Sequence, residues 1–132
     1  MPGMRAAADA IRVEIMGLTL RVRPGDDSIM VAVGGEVDVC TEGLLRDALL
    51  SIMREGGPKL LLDISGVSFM DCAGLRVLLT IRRRAELRGG FMRLTAVSRP
   101  VRRIIELTDA HEALAGEREA QTVRSNSFTE PS

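Results

Sequence analysis

The segment LLLDISGVSFMDCAGLRVLL, Leu60 through Leu79, constrains this chain more than any other. It begins as an apolar run of β type that stops at Asp71. Cys72, Ala73 and Gly74 make a short corner, and Leu75, Leu78 and Leu79 then recur at helical spacing. Hydrophobic period thus switches from strand to helix across one corner. Within the run, Lys59–Ser65 is nearly all apolar, the pattern of a strand covered on both faces.

The rest of the chain supplies matching elements. Leu18–Arg23 alternates apolar and polar residues and predicts a half-buried strand; Pro24–Asp27 is turn chemistry, and Ser28–Val39 predicts a second strand at hairpin spacing. After Thr41, a candidate N-cap, Leu44, Leu45, Ala48, Leu49, Ile52 and Met53 form one helical stripe that Gly56-Gly57 ends. The helix after Gly74 has an Arg-rich outer face, including Arg82-Arg83-Arg84, and stops at Gly89-Gly90. Phe91–Val97 predicts a strand, and Ser98–Ala110 a helix with Pro100 in its first turn, where proline is tolerated. A last short strand is expected around Ala113–Ala115. The β-β-α-β-α-β-α order predicts a single α/β domain with a mixed sheet of four to five strands. Right-handed crossovers pack helices on its faces. The expected boundaries are an N-terminal extension over 1–15, the domain over 16–116 and a polar, disordered tail over 117–132.

Composition excludes several functions. Eighteen basic residues balance eighteen acidic ones, so no net field draws nucleic acid or anionic lipid. With three Phe and neither Trp nor Tyr, there is no platform for stacking bases. No apolar run approaches the ~20 residues of a membrane span. Charged Asp9, Arg12 and Glu14 break any signal-peptide core, and two cysteines make no secreted framework, so the expected location is the cytoplasm. His111 alone, at a helix exit, offers neither a metal set nor an acid–base pair. Cys72 lacks a basic partner, and phosphate-binding glycine loops are missing. No catalytic residue, metal, cofactor or small-molecule substrate is expected.

What remains is a pair of corners at strand C-terminal ends, where open α/β sheets place functional loops. One is Asp38-Val39-Cys40-Thr41 and the other Asp71-Cys72-Ala73-Gly74. Here GEVDVCT (Gly35–Thr41) resembles the Gly-Glu-Leu-Asp-x-x-Thr segment of the STAS domain. The segment LLLDISGVSFMDCAGLRVLL resembles that family's apolar strand followed by Asp-Leu-Ser and Phe-Met-Asp-Ser-Ser-Gly-Leu. The likeness runs on through RGGFMRLTAVSRPVRRIIELTDAHEAL (Arg88–Leu114) and so covers roughly residues 16 to 116.

Its single-domain form is similar to bacterial anti-sigma factor antagonists. The resemblance implies a regulatory binding protein that sequesters an anti-sigma factor of the GHKL serine-kinase type and so releases a sigma factor. It implies a partner-binding surface at Glu36, Asp38, Thr41, Met70, Asp71, Cys72, Ala73, Gly74 and Leu75. In the family, the kinase phosphorylates the serine after the corner's Asp. Dipole and free N–H groups at a helix start tolerate that phosphate, while its ~−1.5 to −2 charges disrupt the partner surface. Asp38 and Asp71 add repulsion.

This chain departs from the pattern at the acceptor itself. Cys72 stands at the phosphoserine position and Ala73 follows it, so neither residue offers a hydroxyl. The expectation is an antagonist not switched by phosphorylation at this corner. Ser65, at a strand end, and Ser68, in a partly buried turn, are poor substitutes. Cys72 is read first as a small side chain filling the serine's space. The alternatives are redox control through Cys72 and Cys40, which the family topology puts on one rim, and service in another complex, a stressosome-like sensor or a transporter partner.

Overall fold

A computed structural model of the protein describes residues 11–108. Its elements are β1 (Ile11–Ile15), β2 (Leu18–Pro24), β3 (Ile29–Val37), α1 (Glu42–Gly56), β4 (Lys59–Met70), α2 (Cys72–Leu87), β5 (Phe91–Val97) and α3 (Arg99–Leu107). The five strands lie side by side in chain order, β1 to β3 antiparallel and β3 to β5 parallel. The expected element order holds, with one strand added in front. Ile11–Ile15, assigned from sequence to an N-terminal extension, pairs with β2 from Ile11↔Val22 to Ile15↔Leu18. Its alternation is only five residues long and follows an Ala-rich start, so the period carries little weight there. The strand read at Ala113–Ala115, His111 and the tail from 117 lie outside the described residues.

Side-chain alternation sorts the sheet into two unlike faces. Leu18, Leu20, Ile29, Val31, Val33, Leu60, Leu62, Ile64, Met92 and Leu94 are buried on one face. They form one core with Leu45, Leu49 and Met53 of α1, Leu78, Ile81 and Ala85 of α2, and Val101 and Ile105 of α3. Burying each such Leu or Ile contributes on the order of 1.5–3 kcal/mol. The intervening Arg21, Arg23, Met30, Arg93 and Thr95 are exposed, so among the described residues the second face is open.

That corrects the reading of Lys59–Ser65 as a strand covered on both faces. Both crossovers, β3-α1-β4 and β4-α2-β5, step the same way across the sheet, and right-handedness therefore puts α1 and α2 on the same side. Leu61, on the open side, is half-buried and stands in register between Met30 and Arg93 of the neighbouring strands.

Two boundaries also differ from expectation. β4 continues past Ser65 to Met70, which carries the parallel ladder as far as Val37↔Met70. Ser68 is consequently an exposed strand residue rather than part of a partly buried turn. β3 stops at Val37, two residues early, because Asp38 starts the turn into α1. The remaining punctuation matches the sequence. Gly57, at φ 105°, closes α1 by donating its N–H to the Met53 carbonyl, and Pro100 occupies the first turn of α3.

Candidate functional site

β3 and β4 end together, and each is followed at once by an aspartate. The Asp38 carboxylate accepts hydrogen bonds from the backbone N–H of Cys40 at 2.9 Å and of Thr41 at 3.1 Å. Its carbonyl accepts from the Glu42 N–H at 2.8 Å. Asp38 therefore folds the turn that leads into α1 rather than capping the helix itself. Thr41 holds the N-cap position of α1 but makes no side-chain cap bond. Its buried hydroxyl instead accepts from the Asp38 N–H at 3.0 Å and donates to the Glu36 carbonyl at 2.9 Å, tying the turn to the end of β3.

The second corner uses the same carboxylate pattern, but here it reaches the helix itself. Asp71 has extended backbone and caps α2, its carboxylate accepting from the N–H of Ala73 at 3.0 Å and of Gly74 at 3.2 Å. These are donors that the helix leaves orphaned, and an anionic acceptor also suits the positive end of the helix dipole. The Asp71 N–H donates to the Val37 carbonyl at 3.3 Å, so one corner is pinned to the strand from which the other begins.

Burial divides the residues expected to meet a partner. Met70, Ala73, Leu75 and Thr41 are buried, with Gly74 packed beneath them. They hold the rim from behind. Glu36 and Cys72 are exposed, and Asp38 and Asp71 are half-buried, the carboxylate of Asp38 turned into its own turn and that of Asp71 into the cap of α2. Cys72 is thus the first residue of α2 and open to solvent, not filler in a serine-sized niche. Cys40, in the neighbouring corner, is also exposed, and both are free thiols.

Two apolar residues on the same rim escaped the sequence reading. Val39 is 71% exposed and Phe69 46% exposed. Phe69 pairs in register with Glu36, one step before the strand ends. The signal was present: if Met70 is buried, alternation turns Phe69 outward. Among the described residues no group of three or more His, Cys, Asp or Glu stands together as a metal site, and no helix is long and apolar enough to cross a membrane.

Fold and rim define a class: a single α/β domain with a five-stranded mixed sheet, helices on one face and an exposed Asp-Cys corner opening its second helix. The STAS domain family model matches residues 18–125, and the chain belongs to that family. It is 28% identical over 93 residues to the anti-sigma-B factor antagonist of Bacillus subtilis (strain 168), spanning 70% of this chain and 84% of that one. The crystal structure of an anti-sigma factor antagonist from Mycobacterium paratuberculosis superposes with a TM-score of 0.66 at 26% identity, covering 77% of this chain and 87% of that chain. The fold also occurs within the murine Slc26a9 anion transporter, with a TM-score of 0.59 at 20% identity over 79% of this chain and 18% of that chain.

Proposed function

We propose that this chain is an anti-sigma factor antagonist that captures a GHKL-type anti-sigma factor on the rim formed by the Asp38 and Asp71 corners. The binding state is held on because Cys72 replaces the phospho-acceptor serine. The observation that carries this reading is the exposure of Cys72 at the start of α2, immediately after the capping Asp71. A hydroxyl there would be open to a kinase; a thiol is not an acceptor for serine phosphorylation. The partner would meet Cys72, Glu36, Val39 and Phe69. Met70, Ala73, Gly74, Leu75 and Thr41 would serve by fixing their positions. Adding a phosphate's ~−1.5 to −2 charges to this apolar and acidic surface would oppose docking while leaving the capped fold intact.

The test pairs the full chain with a kinase-type anti-sigma factor encoded in the same genome. Binding is followed by calorimetry with and without ATP, and modification by intact mass. The native chain is expected to bind in both conditions with no phosphoryl gain. Cys72→Ser is expected to gain one phosphoryl group and release the partner on ATP addition. Stoichiometric phosphorylation of the native 71–74 corner would refute the locked state. Failure to bind any such kinase, with recovery of a transporter or a multi-subunit sensor instead, would refute the antagonist reading.

A further inference from the structure

We infer that β1 is a self-pairing edge and that the protein forms a two-fold symmetric dimer by joining β1 to β1 of a second copy into one continuous sheet. This goes beyond the rim and does not depend on what the rim binds. β1 is the last strand on its side of the sheet, and among the described residues nothing pairs with its outer edge. Ile11, Val13 and Ile15 share the helix-covered face, because they stand opposite Val22, Leu20 and Leu18. Yet the helical layer does not reach them: they are 60%, 39% and 45% exposed. Beside them runs an apolar groove of ≈ 440 Å³ between the β1–β2 ladder and α1, with Leu20, Val22, Ala48 and Ile52 in its walls. An exposed apolar row on an open sheet edge is a ready template for another strand.

The sequence of β1 says which strand fits. Ile-Arg-Val-Glu-Ile is self-complementary about Val13. Antiparallel pairing across a two-fold axis at Val13 sets Arg12 opposite Glu14 of the second copy and Glu14 opposite its Arg12. Ile11 then meets Ile15, and Val13 meets Val13. Both opposite-charge pairs fall on the open face and all apolar pairs on the helix-covered face, so no side chain is misplaced. In the isolated chain Arg12 has only a loose contact at 3.8 Å with its own Glu14 and stands directly opposite Arg21, a like charge.

Backbone hydrogen bonding agrees with the same register. Met16 and Gly17, at φ 52° and 85°, make the two-residue turn of the β1–β2 hairpin, which makes Ile15 and Leu18 its closing hydrogen-bonded pair. Residues 11, 13 and 15 therefore direct their N–H and C=O groups toward β2, and 12 and 14 direct theirs outward. Pairing about Val13 sets outward residue 12 against outward residue 14 at both ends. The apolar pairs then occupy the non-hydrogen-bonded positions, where facing side chains lie closest. Any one-residue slip sets outward-facing groups against inward-facing ones.

Sedimentation of the full chain over a range of concentrations tests this. The weight-average mass should climb from 14.3 kDa toward twice that value. Arg12→Glu and Glu14→Arg, each alone, reverse both cross-strand pairs and should weaken the dimer by about tenfold or more. The double variant restores opposite charges and should recover the dimer. Arg12→Glu also relieves the clash with Arg21, so at a concentration where both chains are monomeric its thermal unfolding should not fall below the parent's, which separates lost pairing from lost folding. A chain that stays monomeric throughout overturns the inference. So does a dimer that Val13→Lys leaves intact, or one that the double variant fails to rescue.

Discussion

Gly74 lies in the first turn of α2 with no space for a side chain. A β-carbon built there would stand 2.7 Å from Val37 Cγ1 and 2.8 Å from Met70 Cγ. Carbon atoms in ordinary contact sit about 3.5–4.0 Å apart, so Gly74→Ala asks the helix start or its neighbours to retreat by roughly 1 Å. Val37 cannot yield easily, being fully buried and β-branched. Overpacking of this kind costs about 1–3 kcal/mol, and replacing glycine by alanine in a helix returns at most ~1 kcal/mol. A contact as short as 2.7 Å against a rigid neighbour belongs in the upper part of that range, so the expected net loss is about 1–2 kcal/mol, or roughly 5–15 °C in Tm for a domain near 100 residues. Gly43→Ala, in the first turn of α1, is the matched control. Its new β-carbon meets nothing nearer than Arg46 Nη2 at 3.5 Å, so it should be neutral or stabilising by up to ~1 kcal/mol. Calorimetry of both variants decides the matter. If Gly74→Ala melts with or above the parent, α2 is not pressed against the end of β3, and the account of the braced rim fails with it.

Asp71→Ala removes the cap on Ala73 and Gly74 and should cost about 1 kcal/mol in urea unfolding, while Asp71→Asn should retain most of that stability. Thr41→Val keeps the shape of a buried residue but strands the Glu36 carbonyl and the Asp38 N–H; a loss of roughly 1–3 kcal/mol is expected, and a neutral result would show those bonds to be dispensable. Met16→Asn places a residue suited to positive φ before Gly17, and thermal unfolding should show a gain of up to ~1 kcal/mol.

The order of the elements from β2 onward and both corners were legible because each depends on a local signal. Gly56-Gly57 and Gly89-Gly90 end helices, and the period changes at Thr41 and Cys72. What was not legible depends on non-local contacts. The apolar look of Lys59–Ser65 comes largely from Leu61, which stands in register between Met30 and Arg93 of the neighbouring strands rather than under a second helical layer. Thr41 resembled a cap by type and position. Its hydroxyl is instead drawn back to the Glu36 carbonyl and the Asp38 N–H, across the turn that Asp38 folds. Motif residues were found as one string, but burial splits the string into an exposed surface and its support, and no pattern of residue types alone separates Cys72 from Ala73.

That split makes Cys72 unusually readable as a functional position. Its side chain is exposed, and two of the N–H groups that open α2, those of Ala73 and Gly74, are already taken by the Asp71 carboxylate. The corner therefore holds its shape without help from whatever stands at position 72, and a phosphate would not be needed to complete the helix start. Cys72→Ser should accordingly change unfolding free energy by no more than about 0.5 kcal/mol, as for a surface substitution away from packing and caps. Equilibrium urea unfolding of the two forms measures this directly. A larger loss would mean that the thiol packs or bonds in a way the exposed corner excludes, and the serine form could then no longer report on switching alone. A match in stability leaves one difference between the two chains, the presence of a hydroxyl at the head of α2. Any ATP-dependent loss of partner binding seen only in the serine form then belongs to that hydroxyl.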